Sequence, residues 1–326
     1  MKYAVVDGTL AKGPSEGSYW AEVRTTTQLQ GYDDKPVSSY DRWLFKPTRD
    51  GQRYLLVSTT DKGWEDSHET GTQPWEVEHV YVDEYGSVLG IFDSATAAHA
   101  ESVLRTVSEG KDDVTLTLPQ AVQPTNSWGT LVYVLSDQQI IDGLSGDTVG
   151  DPDRADGLTI AIPADLNDPS KGTAAYRVAF NPRVLAQPAS VFGRLVRHEM
   201  THATLGARGK GAPLWLTEGV AEWVSVRPMP RSQRRLPTSA LSVGAAAQHL
   251  PTSEDFGGPD AEAWYAVSWW TCEYIANSFG SSMLWTLLDR LAGGADQNQV
   301  IPELLGVTPD QLVRRGAALM AATYQS

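Results

Sequence analysis

The most constraining feature of this chain is a predicted helix over residues 190–206 whose apolar face carries two histidines. Ser190 is a suitable N-cap residue and Gly206 a suitable helix terminator. Apolar residues and histidines recur at spacings of four, three, four and three, which places them on one helical face. The members of this face are Val191, Leu195, His198, His202 and Leu205. Because the face is rich in Val and Leu, we expect it to point inward, and two inward imidazoles one turn apart need an explanation.

The segment His198-Glu199-Met200-Thr201-His202 has the pattern HExxH. Residues four apart on a helix project side by side, so both imidazoles can bind one metal ion. Glu199 follows the first histidine and can point at a water molecule on that metal, where it would act as general base. Imidazole and carboxylate ligands with an open position favour zinc, which predicts one Zn²⁺ per chain. The alternative is a pair of core histidines that flank a glutamate by chance.

A catalytic zinc site needs a third protein ligand, and the segment 213–226 offers two carboxylates. The chain after His202 does not continue as HxxGxxH, so no third histidine follows nearby. Pro213 suits a helix start, and Glu218 and Glu222 lie four apart on one face of this second predicted helix. The glycine-containing connection over residues 206–211 is short enough for the two helices to pack antiparallel. The alternative for either glutamate is a solvated helix carboxylate.

Taken together, these motifs resemble a known family. HEMTH followed by WLTEG-x-AEW is similar to the gluzincin group of zinc metallopeptidases, in particular to the bacterial peptidase-MA-like domains. Phe180-Asn181-Pro182 resembles the strand end that precedes the active-site helix of the group, and Trp264-Tyr265-Ala266 with residues 274–280 resembles a later helix. The resemblance covers roughly residues 94–319, and its two metal motifs are more specific than the flanking matches.

The resemblance implies a role for each site residue. Glu218 would be the third zinc ligand, and Glu222 would accept a hydrogen bond from a ligand imidazole. Tyr265 matches the family tyrosine that stabilises the oxyanion, although a buried core aromatic is the alternative, and His249 is a rival donor. The implied activity is hydrolysis of peptide bonds in a peptide or protein substrate, with Glu199 as general base. The competing hypothesis is a catalytically silent binding or scaffold module, against which the intact Glu199 argues.

Residues 1–93 differ from the rest of the chain because their pattern is that of β-strands. Strand-like runs cover residues 20–31, 38–47 and 52–60, with a turn signal at Arg49-Asp50-Gly51. The alternating run 76–92 breaks at Tyr85-Gly86, which predicts a hairpin. The sequence therefore predicts an α+β protein with a small antiparallel β domain of unknown role over 1–93. Residues 94–326 would follow with a short sheet and a mainly helical C-terminal part, and the resemblance implies that they form a zincin-like metallopeptidase domain.

The later part of the chain is predicted to alternate strands and helices before it becomes mainly helical. Helices are expected over residues 94–108 and 138–144, and strands over 131–135, 158–163 and 177–180. Residues 227–258 are expected to form a long connection next to the site. Its arginines Arg231, Arg234 and Arg235 are candidates for binding an acidic substrate segment, with a solvated face as the alternative.

Composition excludes several classes of partner. The 41% of hydrophobic residues and 20% of charged residues rule out wholesale disorder. The net charge of −14 would repel phosphate backbones, so nucleic acid is not an expected partner. No apolar stretch approaches the roughly 20 residues that span a bilayer. The first residues lack an apolar signal core, and the chain starts almost directly in strand-like sequence, as a piece of a longer protein would. Together with the acidic, protease-like character of the chain, this favours an exported or membrane-anchored ectodomain, with a cytoplasmic protein as the alternative.

Overall fold

The computed structural model describes residues 1–68, 79–123, 129–137 and 156–325. The chain forms two compact units. One comprises Met1–Ala100, Trp128–Thr148 and Ile160–Ala179, and the other comprises Glu101–Ser127, Val149–Thr159 and Phe180–Ser326. The helix predicted over residues 138–144 lies outside the described residues.

The first unit begins with an antiparallel five-stranded sheet. Its strands are β1 (Lys2–Val5), β2 (Ala11–Lys12), β3 (Tyr19–Thr27), β4 (Val37–Pro47) and β5 (Tyr54–Ser58). They are ordered β1-β3-β4-β5, and β2 pairs with β3. The predicted turn between β4 and β5 is confirmed, since Gly51 has φ of 68° and its N–H donates to the Thr48 carbonyl at 2.9 Å. The short helix α1 (Lys62–His68) follows.

The second sheet contains strands from both sides of the predicted boundary between residues 93 and 94. Its strands are β6 (Tyr81–Tyr85), β7 (Val88–Phe92), β8 (Thr130–Val134), β9 (Gly157–Pro163) and β10 (Thr173–Phe180), in the order β6-β7-β8-β10-β9. The predicted hairpin is confirmed: β6 and β7 are antiparallel, and Gly86 has φ of 62°. Strand β8 is parallel to both its neighbours and buried along its length, as expected of a parallel strand. The division of the chain into domains 1–93 and 94–326 stays a prediction.

The remainder of the described chain is mainly helical. The helices are α2 (Ala100–Thr117), α3 (Ala189–Leu205), α4 (Leu214–Ser225), α5 (Ala240–Ala246), α6 (Ser253–Gly257), α7 (Ala261–Phe279), α8 (Ser282–Ala292), α9 (Gln297–Leu305) and α10 (Pro309–Tyr324). The α+β class, with an antiparallel N-terminal sheet and a mainly helical C-terminal part, is confirmed. Among the described helices, none has the length and hydropathy that a bilayer span requires.

Two local predictions need correction. The helix expected over residues 94–108 begins later, because Ala97–His99 form a 3-10 turn, and α2 then runs to Thr117. The long connection expected over 227–258 is not irregular throughout, since it contains α5 and α6. Within this segment, the Arg234 guanidinium donates hydrogen bonds to the backbone carbonyls of Met229 and Arg227. Its hydrogen bonds therefore stabilise the local conformation of residues 227–234.

In the first unit, the buried carboxylate of Asp93 joins the ends of two parallel strands. Oδ1 accepts hydrogen bonds from the N–H groups of Ala95 and Thr96, both at 2.9 Å, just after β7. Oδ2 accepts from the N–H and the hydroxyl of Ser136, just after β8. Burial raises the pKa of Asp93, but these hydrogen bonds outweigh it and leave the pKa below its ordinary value. The folded state therefore favours the ionised carboxylate.

We expect Asp93→Asn to lower the free energy of unfolding by about 2–4 kcal/mol at neutral pH, because an amide nitrogen would face donors that now reach a carboxylate. Since the folded pKa is depressed, the contribution of Asp93 is complete above its ordinary pKa of about 3.9 and is lost as pH falls through the lower folded value. Urea denaturation near pH 7 and near pH 3 measures this difference. Asp7→Asn, at an exposed position, serves as control, and an equal loss at both pH values for Asp93→Asn would contradict the assignment.

Candidate metal centre

Helix α3 carries the HExxH segment, and its ends differ in part from the prediction. The helix begins at Ala189, with Pro188 in the N-cap position and no side-chain cap, so Ser190 is not the N-cap residue. Proline fixes φ near a helical value and has no N–H to leave unsatisfied, which suits it to a helix start. Val191 is 51% exposed and does not join the inward face. Gly206 ends the helix with φ of 49°, as predicted.

Helices α3 and α4 run in opposite directions with their site residues facing each other. Glu218 contacts both His202 and His198, whereas Glu222, one turn further along α4, contacts His198 and Arg194, one turn earlier on α3. This ladder follows from the four-residue spacing on both helices. The antiparallel arrangement inferred from the short connection is therefore observed.

Three ligand-type atoms converge between the helices. Nε2 of His198 lies 3.1 Å from Oε2 of Glu218 and 3.1 Å from Nε2 of His202. Nε2 of His202 lies 3.4 Å from the same Glu218 oxygen. Zinc–ligand distances of about 2.0–2.1 Å with tetrahedral angles separate neighbouring ligand atoms by about 3.3–3.4 Å. The triangle formed by His198, His202 and Glu218 therefore has the size and the donor chemistry of a three-residue zinc site.

Glu222 lies behind His198 rather than in this triangle. Its Oε1 is 3.3 Å from Nδ1 of His198, and its Oε2 accepts from the Arg194 guanidinium, which also lies over the Trp269 ring. Burial raises the pKa of Glu222, but the charge of Arg194 and the contact with His198 outweigh burial and hold the pKa below its usual range. An ionised Glu222 favours a proton on Nδ1 of His198 and so leaves Nε2 as the ligand atom.

The charges of the buried groups indicate a place for a cation. Burial would raise the pKa of Glu218, yet the charge of His202 and hydrogen bonds from both imidazoles lower it to about 2. Burial would likewise lower the pKa of His198, but Glu218 and Glu222 raise it well above its usual value. Glu218 and His198 are thus each stabilised in the charged form by their neighbours. Buried carboxylates need such compensation, and a divalent ion supplies more of it than a proton does.

Glu199 occupies a different part of the site. Its side chain is buried, and Oε2 accepts a hydrogen bond of 2.8 Å from the Thr159 hydroxyl, whose oxygen is also 3.0 Å from the Glu199 carbonyl. Gly157 lies against the same side chain, because a Cβ added there would be 2.9 Å from Cγ of Glu199. Glu199 is therefore held by a neutral donor at the start of β9 and not by a cation.

Tyr265, on α7, lies beside the candidate ligands. Its ring centroid is 6.1 Å from that of His198 in an edge arrangement and 4.8 Å from that of Phe256. Burial and the nearby carboxylates of Glu218, Glu199 and Glu222 raise the pKa of Tyr265, so its hydroxyl keeps its proton. The rival donor His249 instead stacks on Trp264 and has its Nδ1 3.0 Å from the Leu250 carbonyl oxygen.

The glycine of the WLTEG segment sets how closely α4 packs against α7. A Cβ at Gly219 would lie 2.6 Å from the Ser268 carbonyl oxygen and 2.8 Å from Sγ of Cys272. A real Cβ essentially never comes this close to a neighbouring atom, so the close approach of the two helices requires a residue without a side chain at this position. The same turn of α4 carries Glu218, and α7 carries Tyr265. Gly219 thus fixes the spacing between the elements that hold two site residues.

Sequence reasoning missed two residues that contact the site, Arg194 and Thr159. Arg194 had a usable signal: it precedes His198 by four residues, and antiparallel packing of the two predicted helices would have placed it opposite Glu222. Thr159 had none, because its contact with Glu199 joins residues 40 apart in sequence. An isolated threonine in a predicted strand carries no mark of such a contact.

Comparison of the chain with models of known protein families gave no match, and comparison with curated proteins gave none either. The interpretation of this site therefore depends on its own residues and their geometry.

We expect Gly219→Ala to lower the free energy of unfolding by about 1–3 kcal/mol, because a methyl group there forces α4 and α7 apart. The higher helix propensity of alanine offsets about 1 kcal/mol at most. Thermal denaturation followed by circular dichroism measures the loss. Gly209→Ala is the matched control, since a Cβ there meets its nearest atoms at 3.8 Å, and it should leave the melting temperature unchanged or slightly raised. A Gly219→Ala variant as stable as this control would refute the packing argument.

Proposed function

We propose that this chain is a zinc-dependent metallopeptidase of the gluzincin type, which hydrolyses peptide bonds. The observation that carries the proposal is the convergence of His198, His202 and Glu218, whose ligand atoms lie 3.1–3.4 Å apart between two antiparallel helices. Two imidazoles and one carboxylate are a common protein ligand set of catalytic zinc. The HExxH segment adds a buried glutamate directly after the first of these histidines.

Zinc in this site would polarise a water molecule and lower its pKa towards about 7. Residues of the chain would transfer the proton and orient the zinc ligands. Glu199 takes the proton from the attacking water and passes it to the leaving amine. His198 and His202 present Nε2, and Glu222 holds the His198 tautomer that makes this atom available.

Tyr265 is proposed to donate a hydrogen bond to the substrate carbonyl oxygen as negative charge develops there. Two features support this assignment over that of a core aromatic. Its ring is only half buried and lies beside His198. The raised pKa keeps the phenol protonated, as a donor must be. The substrate belongs to the class of peptides or proteins.

The proposal is tested first on the wild-type protein. Metal analysis of the purified chain should give about one zinc per chain, and a broad library of quenched peptides should be cleaved in a way that a chelator abolishes and added zinc restores. Zinc at this ratio with no cleavage of any peptide would favour the silent binding or scaffold module. No bound zinc, even after reconstitution, would overturn the metal site itself.

Separate replacement of Glu218 and Glu222 should show which of them is a zinc ligand and which only orients a ligand. Glu218→Ala removes one of the three proposed protein ligands, so we expect zinc to be lost almost completely. Glu222→Ala should weaken zinc binding by only about 10–100-fold, because it acts through His198. Competition with a chromophoric chelator measures both affinities. If both variants lose zinc equally, or only the Glu222 variant does, the ligand assignment is wrong.

Glu199→Gln separates catalysis from metal binding. The amide keeps the shape of the side chain and can still accept the hydrogen bond from Thr159, but it cannot take a proton. We expect the variant to fold, to retain zinc and to lose peptidase activity by roughly 10²–10⁴-fold. Zinc content and melting temperature are measured on the same sample as controls. Full activity in this variant would exclude Glu199 as the base.

A further inference from the structure

The carboxylate of Glu199 is held by the first residues of β9. The Thr159 hydroxyl oxygen lies 2.8 Å from Oε2 of Glu199 and 3.0 Å from its backbone carbonyl oxygen. A threonine hydroxyl has one proton, so these two acceptors share it. The side chain of Glu199 is 5% exposed, so water has little access to replace this donor. The contact thus fixes the head of a side chain that otherwise rotates about three bonds.

The stem of the same side chain lies against Gly157, two residues before Thr159 in the chain. A Cβ at Gly157 would lie 2.9 Å from Cγ of Glu199, 3.1 Å from its Oε1 and 3.1 Å from Cδ1 of Leu195. Residues two apart on a strand face the same side. Gly157 and Thr159 therefore form one surface against α3, in which the glycine admits the stem and the threonine binds the carboxylate.

We propose that Thr159 is a positioning residue for Glu199, with Gly157 providing the room that this position requires. The inference rests on the proposed function, in which Glu199 is the general base. A base misplaced by about 1 Å loses on the order of 10²-fold in rate. Binding of substrate and of zinc is much less sensitive to the exact position of the Glu199 carboxylate. Loss of the Thr159 hydroxyl should therefore reduce kcat and leave zinc binding unchanged, since Glu199 is not a ligand.

The first test uses the metal-free protein and needs no activity. Melting temperatures are compared for Thr159→Val in the wild-type background and in a Glu199→Ala background. The valine should lower the melting temperature in the first and have a clearly smaller effect in the second, because the carboxylate that it leaves unpaired is already gone. Thr115→Val is the matched control: its hydroxyl donates only to the Lys111 carbonyl on α2, so its effect should be equal in both backgrounds. An equal effect of Thr159→Val in both would overturn the contact.

The second test uses the zinc-loaded protein. Thr159→Val should lower kcat by about 10–100-fold with KM and zinc content unchanged, and Thr159→Ser, which keeps the hydroxyl, should restore most of the loss. Gly157→Ala should lower kcat in the same way, because its methyl group displaces the stem of Glu199. A change in KM alone, or a serine variant no better than valine, would reduce Thr159 to a packing residue.

The two tests keep the failure of this inference apart from the failure of the proposed function. A wild-type protein that binds zinc and cleaves nothing refutes the proposed function, and with it any catalytic consequence of Thr159. The melting-temperature comparison would still decide whether Thr159 holds Glu199. An active wild type whose Thr159→Val variant keeps its full kcat refutes the positioning role alone.

Discussion

The helical unit depends on how buried negative charge is balanced between α3 and α4. The carboxylates of Glu199 and Glu218 are buried and that of Glu222 is 15% exposed. Among the described residues, Arg194 brings a permanent positive charge to Glu222. Uncompensated buried charge costs several kcal/mol, so a further positive charge between the helices stabilises this packing. In the metal-free chain, His198 supplies it, since its pKa is raised by the two glutamates of α4. Under the proposed function, zinc would replace that proton with a larger charge at the same place.

The four-residue spacing of the site residues on α3 and on α4 accounts for most of the contacts between these two helices. Positions four apart on α3 and four apart on α4 meet in antiparallel order, so that each glutamate lies between two α3 residues one turn apart. A shift of either helix by one residue would break all of these contacts at once. The close approach of Gly219 to α7 further restrains α4 in that register. Charge pairing and helix packing therefore constrain the same element.

The sequence was sufficient for features that depend on local spacing. The helix with two histidines, the second helix with two glutamates and the turns at Gly51 and Gly86 were all predictable, because each follows from periodicity or from the φ that glycine permits. The sequence was less informative about which residues are exposed to solvent and about contacts between residues far apart in the chain. Val191 fits the apolar period of α3 yet is exposed. Periodicity predicts which residues share a face of the helix, but it does not predict how far along the helix that face is buried. The contact of Thr159 with Glu199 and the sheet shared by β7 and β8 join distant segments, which no local pattern encodes.

The two glutamates that are not proposed as ligands differ in what holds them, and that difference suits them to different tasks. Glu222 is paired with a guanidinium, which favours its anion and makes it a poor acceptor for a proton in transit. It can orient His198 without exchanging a proton with it. Glu199 is held by a neutral hydroxyl, which fixes the position of the carboxylate without adding a permanent positive charge beside it. In the proposed reaction a carboxylate must both receive and release a proton, so the one held by a hydroxyl is suited to serve as base. The HExxH pattern and the contacts of the side chains thus favour the same residue on independent grounds.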